Sequence, residues 1–347
     1  MRAAFILPGR GCSGGVRCTV IAANELIARG HEVRIMYRKA GPGPRALIRH
    51  ATKKLFYNGR HDWLETFGGQ ISGFRDVSEC AFGPKEIIIS VGMWCSAQMG
   101  RLNGLKNPKL QYIHGLTPWM PEVMNEALCL PIPKVAVSSN VPKEVKAHKA
   151  GEVLAVIPNG IDQAEYYPSV DEHNRDGLGT IYSSHPAKDP ETILKVLLKL
   201  RQELPDVPHH VFGTAPRPKR MPKTDYKRYP SVEQARRRYS CSKVWILASR
   251  SEGFPGPVLE AMACGCAVVA TDCGGTPDII TDGQNGLLAE VGNVEQIVDK
   301  VKLLFNNPKL RQSIASSSQE TVKRFTWESC IDKLEDVLRS ISTCSAN

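Results

Sequence analysis

The sequence has no apolar run approaching the roughly 20 residues that span a bilayer, which argues against a membrane-spanning helix. The opening Arg2-Ala-Ala-Phe-Ile-Leu-Pro8 is too short for a signal-peptide core with its cleavage site and reads instead as a first strand. The eleven cysteines form no Cys-x-x-Cys pair, which argues against a structural zinc site. They are scattered and mostly in apolar contexts (Cys129, Cys241, Cys264, Cys266), as expected of free thiols in a reducing compartment. No carboxylate-rich Asp-x-Asp motif follows a strand, so no metal is expected. The basic segments lack interleaved aromatics, which argues against nucleic acid as a partner. A cytoplasmic protein is the expectation.

Acidic residues are also in deficit, giving a formal net charge of +10. Such a balance suits phosphorylated substrates or an anionic membrane face. Much of the charge lies between Pro44 and Arg60, where Leu47, Ile48, Ala51, Leu55 and Phe56 recur at helical spacing beside Arg45, Arg49, Lys53 and Lys54. Two readings fit: an interfacial anchor for a peripheral membrane protein, or a surface helix with its apolar side in the core. A second basic stretch, from Pro216 to Arg238, reads as a loop leading into a helix near Val232 to Tyr239.

With 347 residues, two domains are expected. Strand candidates Phe5–Leu7, Val33–Tyr37, Glu86–Val91, Leu110–His114, Lys134–Ser138 and Val153–Ile157 alternate with helical segments. The polar stretch from Pro168 to Gly179 reads as the boundary, after which the pattern restarts. Strands Thr180–Ser184, His209–Phe212, Val244–Ala248 and Ala267–Thr271 follow, with a helix starting at Thr276-Pro277-Asp278 and two or three closing helices. Strands joined by helical crossovers imply α/β units with doubly wound parallel sheets.

Two loops carry the chemistry. Glu252-Gly-Phe-Pro-Gly-Pro-Val-Leu-Glu260 places a carboxylate at each end of a Gly/Pro loop, after an apolar strand and before a short apolar helix. A strand, tight loop and helix N-terminus make an anion site. The flanking carboxylates suit a ligand with hydroxyls on both sides of a diphosphate, the shape of a nucleotide sugar. Glu260 has the plainer reading of a first-turn carboxylate favoured by the helix dipole. The other loop, Gly9-Arg-Gly-Cys-Ser-Gly14, matches the dinucleotide fingerprint, but the second strand ends Tyr37-Arg38-Lys39 with no acidic residue for a ribose. An NADP-dependent oxidoreductase, with Arg38 on a 2′-phosphate, therefore competes with a phosphate- or sugar-facing loop at Gly14-Gly15 and with a simple tight turn.

Taken in order, these residues resemble the retaining GT-B glycosyltransferases of glycosyltransferase family 4 (glycosyl transferases group 1). The resemblance rests on Gly14-Gly15, Gly30-His-Glu-Val33, His114-Gly115, Pro158-Asn-Gly160, the E-x7-E block Glu252–Glu260, Gly274-Gly-Thr-Pro277 and Phe325-Thr-Trp327. It implies two Rossmann-like doubly wound domains facing a central cleft. It further implies an acceptor-side domain over 1–165, a nucleotide-sugar domain over 166–325 and a last helix over 326–347 returning to the first domain. A sugar would pass from a nucleoside diphosphate to a glycan, lipid-linked or other acceptor, with no cofactor. By the same resemblance His114 and Glu252 are the catalytic candidates. Gly14, Gly15, Lys188, Gly253, Phe254, Gly256, Val258 and Glu260 would hold the donor, with backbone N–H groups from Gly253 to Val258 toward it. Lys188 would face the diphosphate. Ser183 or Ser184 stands where the family has an arginine, so Arg217 or Arg220 becomes a phosphate-binding candidate, and a catalytically weak sugar-nucleotide-binding protein is the alternative.

Overall fold

The computed structural model describes residues 1–11, 13–39, 62–148 and 151–344, so Arg45, Arg49, Lys53 and Lys54 lie outside the described residues. The chain forms two units: 1–159 together with 327–347, and 160–326.

Among the described residues the first unit holds seven strands: β1 (Arg2–Leu7), β2 (Glu32–Arg38), β3 (Gln70–Phe74), β4 (Ile87–Val91), β5 (Lys109–Ile113), β6 (Lys134–Ala136) and β7 (Val153–Val156). They pair in parallel in the order β3-β2-β1-β4-β5-β6-β7. Strands covered on both faces read as continuous apolar runs; Ile87, Ile88 and Ile89 are fully buried. Helices α1 (Gly14–Ala28), α2 (Met93–Gln98), α3 (Pro121–Leu128) and α4 (Asn140–Ala147) accompany this sheet.

In the second unit β8 (Gly177–Tyr182), β9 (His209–Gly213), β10 (Asp225–Arg228), β11 (Ser242–Leu247), β12 (Ala267–Thr271) and β13 (Leu287–Ala289) pair in parallel as β10-β9-β8-β11-β12-β13. Its helices are α5 (Pro190–Glu203), α6 (Val232–Cys241), α7 (Gly256–Ala263), α8 (Val294–Asn306) and α9 (Pro308–Val322). One core of Leu197, Leu200, Val244, Ile246, Val269 and Val301 joins α5 and α8 to the sheet.

Four expectations are corrected. The stretch 168–179 is not a linker: Tyr166 packs edge-on against Tyr239, the Ser169 N–H donates to Ser240 Oγ (3.1 Å), and Arg175 is buried. The division falls earlier, and just beyond it the Ile161 N–H donates to the Phe325 carbonyl (3.0 Å). Thr276–Asp278 is one 3₁₀ turn rather than the start of a helix. The Asn285 amide satisfies the groups that a continuing helix would use, donating to Ile279 O and accepting from the Thr281 N–H. The stretch 216–238 contains β10, read as loop because its residues are polar. Cys129 is exposed, although six of the nine described free thiols are buried.

The last helix, α10 (Trp327–Cys344), packs in the first unit against α1 and β7. Arg29 ion-pairs with Asp332 (2.7 Å) and Glu335 (3.0 Å), and His31 Nε2 meets Glu335 (2.9 Å). The Arg339 and Arg29 guanidiniums hold the Glu335 carboxyl down at about 2. A depressed carboxyl stabilises the fold above its unfolded value, and that contribution fades as pH falls toward the folded one. Amide-exchange protection over 327–344, taken relative to the intrinsic rate at each pH, should therefore fall as pH drops from the ordinary carboxylate range toward about 2, and Glu335→Gln should flatten that dependence. An identical acid profile in the variant would refute this role. No helix among the described residues is long and apolar enough to cross a membrane.

Candidate active site

In an open parallel sheet, ligands sit at the carboxyl ends of the strands where the order reverses. In the second unit that point lies between the adjacent strands β8 and β11. Lys188 ends a 3₁₀ turn following β8, and Glu252 lies in the loop following β11. The structure joins them: Lys188 Nζ contacts Glu252 Oε1 at 2.5 Å, and Ser249 Oγ donates to the same oxygen at 2.6 Å. Oε2 has no hydrogen-bond donor among the described residues, so this nearly buried carboxylate keeps an acceptor available. A small cavity beside the pair is lined by Ile181, Lys188, Leu247, Ser249 and Pro257.

Local backbone bonds fix the two loops. The N–H groups of Arg250 and Ser251 both donate to Ala187 O (2.8 and 3.2 Å). Asp189, in the left-handed region at φ 43°, caps α5 through Thr192 and ion-pairs with Arg250 (Nε to Oδ2 2.8 Å). A non-glycine residue there costs of order 1–3 kcal/mol, which the surroundings must offset. Across the loop the Gly275 N–H donates to Glu252 O (3.1 Å). Gly274 has φ +53°, and a Cβ there would lie 1.7 Å from Glu252 O, so only glycine fits.

Glu260 sits in α7 and accepts from the Tyr239 hydroxyl at 2.8 Å. Tyr239 is fully buried and packs on Trp245 and Phe212. One oxygen of the carboxylate is thereby pinned from below.

The backbone of the Gly/Pro loop offers fewer donors to a ligand than expected. Pro255 and Pro257 have none, the Gly256 N–H donates to Phe254 O, and the Val258 N–H donates to Pro255 O (both 2.9 Å). The N–H groups of Gly253 and Phe254 remain without a backbone carbonyl among the described residues. Phe254 itself packs on Phe325, with ring centroids 5.5 Å apart. The two phosphate-binding candidates have local partners. Arg217 donates to Met221 O and Pro222 O, closing its own loop, and Arg220 pairs with Glu191 on α5. Sequence reasoning missed Arg250, whose guanidinium pairs with Asp189, and the Tyr239 hydroxyl; Asp189 itself is legible in the sequence as the cap of α5. Tertiary contact alone gives Arg250 and Tyr239 their place.

In the first unit the Ser13 side chain caps α1, accepting from the Val16 N–H. A Cβ at Gly14 would meet nothing within 4 Å, and one at Gly15 only His114 Cβ at 3.9 Å, so packing does not demand either glycine. Both ring nitrogens of His114 are buried without a hydrogen-bond partner among the described residues, and burial lowers its pKa to about 4. The ring is therefore neutral near pH 7, offering one donor and one acceptor. A buried polar group left unpaired costs free energy, which a ligand hydroxyl would recover.

Comparisons with known proteins agree with this layout. Residues 180–321 match the family "Glycosyl transferases group 1". An uncharacterised glycosyltransferase of Methanocaldococcus jannaschii is 40% identical over 97 residues, 28% of each chain. D-inositol 3-phosphate glycosyltransferase of Jonesia denitrificans is 24% identical over 395 residues, covering 92% of this chain and 90% of its own. Aligned stretches span only 22–30% of the first curated relatives. Anabaena HepE in complex with UDP and glucose superposes with a TM-score of 0.75 at 17% identity, over 98% of this chain and 100% of that one. This chain thus has the GT-B fold of two Rossmann-like units, and its residues 180–321 are similar to the glycosyl transferases group 1 family.

Proposed function

We propose that this protein is a retaining glycosyltransferase that moves a sugar from a nucleoside diphosphate to a glycan, lipid-linked or other acceptor, with no required metal or cofactor, on the cytoplasmic side. The observation that carries this reading is the Lys188–Glu252 pair at the β8/β11 reversal, with Glu260 pinned one helix turn away. Lys188 stabilises the charge that develops on the departing diphosphate, where a transferase without a metal gains most. Arg250, tethered to Asp189, supplies the second positive charge in place of the arginine replaced by Ser183. Glu252 Oε2 accepts from a donor-sugar hydroxyl, Glu260 from the ribose, and His114 orients a sugar hydroxyl. Transfer occurs on the front face, without a covalent nucleophile on the protein. Support comes from the group 1 domain and from Anabaena HepE, whose structure contains UDP and glucose.

A thermal-shift panel of UDP, GDP, dTDP and ADP sugars is the direct test. A ligand binding only the native state adds about 2.7 kcal/mol at a hundredfold excess over its Kd. One nucleotide should raise the Tm, Glu260→Ala should abolish both shift and turnover while keeping native circular dichroism, and EDTA should change nothing. Unchanged turnover in Glu260→Ala sinks the assignment. A second reading, a catalytically weak sugar-nucleotide-binding protein, is favoured by Ser183, whose hydroxyl accepts from the His185 N–H (3.2 Å). Donor binding without hydrolysis or transfer would select it.

A further inference from the structure

The first unit has its own reversal point, between β1 and β4, and three arginines that the proposed reaction has not yet used lie on elements around it. Arg10 lies in the loop after β1, Arg38 ends β2 and Arg17 belongs to α1. Each guanidinium lies on an aromatic face: Arg10 over Tyr37 (5.2 Å to the centroid), Arg17 over Trp63 (5.0 Å) and Arg38 over Trp94 (4.0 Å). The supports come from separate elements, Trp94 on α2 just beyond β4 and Trp63 on a short turn after residue 62. Further contacts tie the cluster together. A Cβ at Gly9 would lie 3.9 Å from Arg38 O, one at Gly92 would lie 3.4 Å from the Pro8 ring, and Arg10 Nε meets Asp62 at 2.6 Å. Asp62 is the one carboxylate paired with Arg10 or Arg38 among the described residues, and Arg38 is exposed with Lys39 beside it.

An aromatic shelf fixes the plane of a guanidinium without neutralising it. Two shelved guanidiniums, Arg10 and Arg38, against the Asp62 carboxylate leave net positive charge, in the fork geometry that takes phosphate oxygens two at a time. The N-terminus of α1, with open space above Gly14, adds its dipole on the same side of the sheet. We propose that Arg10 and Arg38 form a phosphate-binding subsite in the first unit, so that the acceptor carries a phosphoryl group near the hydroxyl that receives the sugar. This deepens the proposed transferase function and rests on it for the word acceptor; the anion site itself stands on the arginines alone.

The test uses the full chain. Glycerol 3-phosphate is the soluble probe, vesicles of phosphatidic acid in phosphatidylcholine are the membrane probe, and Trp fluorescence, to which the Trp94 shelf contributes, is the signal. Either probe should bind, with salt weakening it. Arg38→Gln should weaken binding about tenfold or more, as expected for one lost charge-assisted contact. Arg38→Lys, which keeps the charge but loses the fork and the shelf, should lie between. Response to the soluble probe would identify a free phosphorylated acceptor, and response to the vesicles alone a lipid headgroup. Binding unchanged in both variants overturns the subsite. So does tight NADPH binding that is lost in Arg38→Gln and unaffected by glycerol 3-phosphate. UDP binding, measured in parallel, should be equal in wild type and variants. Its absence from all three proteins would count against the transferase reading while leaving the phosphate result standing.

Discussion

Lys188→Ala should lower the kcat for donor cleavage by about a hundred- to a thousandfold, the usual effect of removing one preorganised group that stabilises developing charge. The loss should fall on kcat more than on donor affinity, because the diphosphate acquires its extra charge only as the glycosidic bond breaks. The same substitution leaves Glu252 with only the Ser249 hydroxyl on its shared oxygen. Glu252→Gln on the Lys188→Ala background should therefore cost less than Glu252→Gln alone, since residues joined by a short ion pair do not contribute additively. Rates of donor hydrolysis for the four proteins measure the coupling. Turnover within a few-fold of wild type in Lys188→Ala would remove the lysine from the reaction.

Gly274→Ala should disable the site from behind. The added methyl would have to occupy space already filled by the Glu252 carbonyl, and the backbone there is left-handed. Left-handed strain alone costs of order 1–3 kcal/mol, and the overlap is with main chain, which cannot swing aside as a side chain can. The loop must move, carrying Glu252 away from Lys188. We expect a lower Tm together with loss of turnover comparable to Glu252→Gln, while the first unit's response to glycerol 3-phosphate stays unchanged. Gly256→Ala is the control: a Cβ there meets nothing within 4 Å, so its stability should match wild type. Full activity in Gly274→Ala would show that the loop tolerates displacement.

The central strands were legible because a strand covered on both faces must be apolar throughout, as in Ile87 to Val91 and Ala267 to Thr271. The strands missed, β3, β10 and β13, all lie at sheet edges. An edge strand has one neighbour and can be polar: Asp225-Tyr-Lys-Arg228 carries no apolar pattern at all. The same contrast runs through the site. Lys188, Glu252 and Glu260 could be singled out as candidates because they stand at fixed spacing in or beside local loops. Arg250 and Tyr239 could not, because their places depend on Asp189 and Glu260, 61 and 21 residues away in sequence. The phosphate candidates Arg217 and Arg220 show the converse: proximity to a strand end suggested a role, but nearby carbonyls and Glu191 hold them.

The first unit is assembled from both ends of the chain, because α10 docks on α1 through Arg29 and His31. A ribosome releases residues in order, and domains generally fold as units as they emerge. Residues 1–159 thus leave the exit tunnel with the α1 face that receives α10 still uncovered, and wait while the whole of 160–326 is made. The second unit, contiguous in sequence, can close first. A chain stalled before residue 327 should hold a folded second unit and a first unit that is still protease-sensitive, so that translation itself orders the maturation of the two halves.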